Sequence, residues 1–77
     1  MPLTDLQARV LHLMAQGYCM WYYPRWDICM VSNEVFPAEI EQWFYNSSFC
    51  YVLNYSEHGG RYMLNEAGIE ATSTIAM

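Results

Sequence analysis

The 77-residue chain carries seven Tyr, three Trp and three Phe, and more than half of it is apolar. A chain this short makes one small domain whose core does not hide so many rings, so some aromatics are expected at the surface, where Tyr and Trp suit binding. Eight acidic side chains stand against Arg9, Arg25 and Arg61, with no Lys, for a net charge of −5; this excludes the cationic footprint of a nucleic-acid binder and favours a basic partner.

Residues 4–16 form the first expected helix. Thr4 with Gln7 three residues on makes a capping box, Asp5 suits the positive end of the helix dipole, and Gly17 follows as a stop. Leu6, Val10, Leu13 and Met14 recur at helical spacing as one apolar stripe, with Leu3 as a staple. Arg9, His12 and Gln16 fall off it, so His12 reads as a solvated residue.

The period then changes. YCMWYY and WDICMV, separated by Pro24-Arg25, predict a hairpin over 18–31 with a loop longer than a tight two-residue turn. Tyr18, Met20 and Tyr22 share one face, and Cys19, Trp21 and Tyr23 the other. Both faces are apolar or aromatic, so one is either a binding surface or is covered by other parts of the chain. A second helix is expected over 36–46, with Pro37 in its first turn, Ala38, Ile40, Trp43 and Phe44 inward, and Glu39, Glu41, Gln42, Tyr45 and Asn46 at the outside or the flanks. Residues 49–64 read as a second hairpin turning at Gly59-Gly60. Asn65 caps a helical turn over 66–71, and 72–77 is expected to fray.

Cys19, Cys29 and Cys50 are odd in number and lack CxxC spacing, which argues against a disulfide framework and a zinc site. No phosphate-binding loop or paired acid and base is spaced for catalysis. The sequon Asn46-Ser47-Ser48 is discounted, because the opening MPLTDLQAR is unlike a secretory signal. No run approaches membrane-spanning length. The expectation is a cytoplasmic protein that is not an enzyme and has no cofactor, with homo-oligomerisation left open.

Two passages resemble winged-helix proteins, and a third stands in a matching place. LTDLQARVLHLMAQG is similar to their opening helix, GGRYMLNEAGIEA to the passage that closes the wing, and VFPAEIEQWF stands where a recognition helix would come. The resemblance implies an α+β, winged-helix-like domain in the order helix, β-hairpin, helix, hairpin wing, terminal helical turn. The family's middle helix is replaced by the 18–31 hairpin. That departure counts against DNA docking, as do Glu34, Glu39 and Glu41 around the recognition position.

An acidic, aromatic-rich docking surface is what these residues offer. Asp27, Glu34, Glu39, Glu41 and Glu57 are the candidate anionic face. Trp21, Tyr23, Trp26, Gln42, Tyr45 and Asn46 are the candidate polar and aromatic contacts. In size, charge and scaffold the chain resembles phage-encoded anti-CRISPR proteins. That resemblance implies an inhibitor that occupies the DNA or RNA site of a basic CRISPR effector complex. The alternatives are a winged-helix transcriptional regulator and an oligomeric assembly subunit.

Overall fold

A computed structural model of the chain describes residues 3–74. The first element, α1 (Asp5–Ala15), starts at the expected capping box: the Thr4 side chain accepts from the Gln7 N–H, and the Gln7 side chain accepts from the Thr4 N–H. Its buried stripe is Val10, Leu11, Leu13 and Met14, with Leu3 packed against the core. Leu6, expected on that stripe, is exposed, and Leu11 is buried in its place. His12 is half-buried, with Nε2 enclosed and unpaired, rather than a solvated residue.

Strands β1 (Met20–Tyr23) and β2 (Ile28–Val31) are joined by a single 3-10 turn, Pro24–Trp26. Asp27 closes that turn in the left-handed conformation, φ 56°. Proline fixes the first position of the turn, and a short polar residue tolerates the last. Tyr18 and Cys19, expected in the hairpin, precede the strand. A two-residue turn with Ser32 at φ 57° then leads directly into β3 (Glu34–Pro37). This corrects the expected lead-in to the second helix: Val35 and Phe36 pair with Met30 and Cys29. Helix α2 is accordingly shorter, Ala38–Tyr45, with Pro37 as its N-cap. Proline's missing N–H costs nothing at that edge position.

Strands β4 (Cys50–Ser56) and β5 (Gly59–Leu64) make the second hairpin, with a register shift between Val52 and Asn54; it turns at Glu57-His58 rather than at Gly59-Gly60, which pair with Ser56 and Tyr55 inside β5. Helix α3 (Glu66–Ser73) runs past the expected end, and its Thr72 is buried with its hydroxyl donating to the Gly68 carbonyl. Of the tail expected to fray, 75–77 lies outside the described residues.

The two hairpins fuse through β1 and β5 into one antiparallel sheet of order β3-β2-β1-β5-β4. The domain is α+β with three strands between α1 and α2. The helices cover one sheet face. Met20, Cys29, Val31, Phe36, Tyr62 and Leu64 alternate inward and are buried with the α1 stripe and with Ile40 and Phe44 of α2. The other face carries Trp21, Val35, Arg61 and Met63, all exposed. A period of two therefore settles which half of each strand is core.

Candidate partner-binding groove

Helix α2 presents Ala38, Glu41, Gln42, Tyr45 and Asn46 along one flank, the positions three, four, seven and eight residues on from Ala38. That flank and the Tyr22–Asp27 end of the first hairpin line an open groove of about 520 Å³, with Tyr55 of β4 also in its wall. Ligand sites are commonly of roughly this size, about 300–1,000 Å³.

Glu41 is part of the groove wall. The helix period turns it toward the sheet, where it is only 7% exposed; its expected outside or flanking position is corrected. Its Oε2 accepts a hydrogen bond from the Tyr62 hydroxyl at 2.6 Å. Tyr62 comes from β5 and is fully buried. Gly60 makes room for it: a Cβ there would lie 2.5 Å from the Tyr62 hydroxyl and 3.2 Å from the Tyr55 ring. Three tyrosines cluster above the carboxylate. Tyr45 meets Tyr55 at 5.5 Å between centroids and Tyr62 edge-on at 5.8 Å, while Tyr55 and Tyr62 are 6.4 Å apart. Offset and edge-on rings at such distances attract one another.

The same environment raises the Tyr62 and Tyr22 phenols. Burial, then the hydrogen bond to Glu41, then that residue's charge push the Tyr62 hydroxyl well above the usual phenol range. Burial first and Glu41 second raise Tyr22. Burial also pushes the Cys29 thiol up to about 12 and the Cys50 thiol up to about 11. Neither is a thiolate at neutral pH, so neither offers a nucleophile.

Of the residues singled out from the sequence, Asp27, Glu39, Glu41, Gln42, Tyr45 and Asn46 line this one groove. The others are elsewhere, so the anionic face is smaller than expected. Glu34 is taken by Arg9, whose Nε donates to its Oε1 at 3.2 Å and whose second guanidinium nitrogen holds Oε2. Glu57 stands with Tyr23 and Trp26 in a second groove between the two hairpin tips, near His58. Trp21 lies on the uncovered sheet face beneath Arg61, whose guanidinium carbon is 4.8 Å from the ring centroid. Tyr22, Tyr55 and Tyr62 were missed as site residues. Alternation placed Tyr22 on a strand face, but only the β1–β5 pairing brings the three tyrosines together beside α2.

The groove thus has three carboxylates and aromatic walls, while Arg9 and Arg61 are engaged elsewhere. Carboxylates and aromatic ring faces both attract positive charge. Among the described residues no group of three His, Cys, Asp or Glu is placed to hold a metal ion, and no helix is long and apolar enough to cross a membrane. Comparison of the chain with protein-family models, with curated proteins and with solved structures gives no match.

Proposed function

We propose that this chain is an acidic, aromatic-rich interaction module, an inhibitor of the anti-CRISPR kind. It docks on a basic nucleic-acid-binding protein, such as a CRISPR effector complex, and blocks the site that DNA or RNA would take. The observation that supports this best is the convergence of Asp27, Glu39 and Glu41 with tyrosine rings in one groove. Carboxylates steer a basic surface in, and the rings anchor it. The scaffold is read as winged-helix-like, with α2 in the recognition position and β4–β5 as the wing. Gln42 and Asn46 are polar side chains suited to base edges, but Glu39 beside them makes phosphate approach costly. That disfavours a DNA-binding regulator.

The test is a mobility-shift assay of a purified effector complex on its target duplex, with increasing amounts of this protein. Loss of the shift is expected, and Asp27→Lys with Glu39→Lys, both exposed positions, should restore it. An unchanged shift at saturating protein overturns the proposal. So does retention of the protein itself on heparin at moderate salt.

An assembly subunit is the alternative favoured by the uncovered sheet face, where Trp21, Val35, Tyr51 and Met63 are exposed. Light scattering coupled to size exclusion separates the two: a stable oligomer that Trp21→Ser disperses supports assembly.

A further inference from the structure

The groove beside α2 is built for one kind of group. Glu41 is a carboxylate more than nine-tenths buried, and a charge so placed is costly unless it is paired. One oxygen takes the Tyr62 hydroxyl. No other side-chain donor among the described residues reaches Glu41, and its second oxygen is not sealed off, since Glu41 is part of the groove wall. The buried carboxylate is therefore half-satisfied toward the inside and open toward the groove. Tyr45 and Tyr55 stand beside it, both about half-exposed and ring to ring. Asp27 and Glu39 add charge at the rim.

We infer that this groove is a socket for a single arginine side chain of a protein partner, with the guanidinium against Glu41 and stacked on Tyr45 and Tyr55. Arginine fits better than lysine for three reasons. Its planar fork presents parallel N–H donors to a carboxylate, whereas an ammonium is a point charge. Its face stacks on an aromatic ring while its edge keeps donating. It is more weakly hydrated, so it enters a half-buried site at lower cost. The inference rests on the proposed docking function and names the group that function recognises.

The test uses the whole protein, isotope-labelled, with N-acetyl-argininamide as probe and N-acetyl-lysinamide as its control. Two-dimensional amide spectra should show saturable shifts clustered on 38–46 of α2 and on Tyr55, with lysinamide about tenfold weaker, the step expected of a bidentate, stacked contact. Glu41→Gln, which retains an acceptor for Tyr62, should lower arginine affinity about tenfold or more. Tyr45→Leu, at a half-exposed position, should also weaken it and erase the preference over lysine. Equal affinity for the two probes, shifts scattered over all acidic residues, or full binding by folded Tyr45→Leu would overturn the socket. If arginine selectivity holds while effector inhibition fails, the socket stands and the inhibitor function falls. If inhibition holds without selectivity, only the socket falls.

Discussion

Tyr62→Phe removes one oxygen from the protein and tests the buried bond to Glu41. The Tyr62 hydroxyl is the donor to Glu41 Oε2 at 2.6 Å, between a fully buried ring and a carboxylate that is 7% exposed. Hydrogen bonds to charged groups contribute about 1.5–3 kcal/mol, and a buried acceptor left without its donor is at the upper end. A domain of this size has a total stability of roughly 4–12 kcal/mol, so a loss of about 2 kcal/mol is a large share of it. With about 4–8 °C per kcal/mol for small domains, Tm should fall by roughly 8–16 °C. Urea unfolding followed by tryptophan fluorescence measures it, with m unchanged if only stability moves. There is also a pH signature. Tyr62 is raised above its ordinary value in the folded state, so its contribution is complete below about pH 10 and fades as pH rises through the folded value. The gap between wild type and Tyr62→Phe should therefore narrow in alkali. A loss under about 0.5 kcal/mol at neutral pH would refute the reasoning, as would a gap that widens in alkali.

The other expectations concern the frame around the groove. Gly60→Ala places a methyl against the Tyr62 hydroxyl and Tyr55 ring, and overpacking of this kind should cost about 1–3 kcal/mol in urea unfolding. Asn65→Ala removes the cap that accepts from the Gly68 N–H at 2.9 Å and the donor to the Ser48 carbonyl at 2.7 Å; a loss of about 1–2 kcal/mol is expected from the same assay. Cys29 and Cys50 are raised from an ordinary 9.0 to about 12 and about 11. Their contribution is present below pH 9 and lost as pH rises toward those values, so unfolding free energy should decline above about pH 9. In a thiol-labelling experiment at neutral pH, fully buried Cys29 should stay unlabelled until the protein is unfolded.

Local chemistry determined much of this protein by itself. The Thr4–Gln7 capping box and the Asn65 cap depend on neighbours a few residues apart, and they lie where residue type and spacing place them. The aromatic content also foretold exposed rings, and Trp21, Trp26 and Tyr45 are exposed. Pairing was a different matter. Val35 and Phe36 look equally like the lead-in to a helix and like a strand, and the edge of β2 decided between them by offering its backbone groups. Glu41 is polar by type, but its helix position turns it inward, and a tyrosine 21 residues away made that burial tolerable. The second hairpin, too, is not free-standing: β5 is bound to β1 in the middle of the sheet. The groove exists only because that pairing carries Tyr62 and Tyr55 to α2. A contact between distant parts of the chain leaves no periodic mark in either, so the tertiary structure alone could turn a scatter of acidic residues and tyrosines into one site.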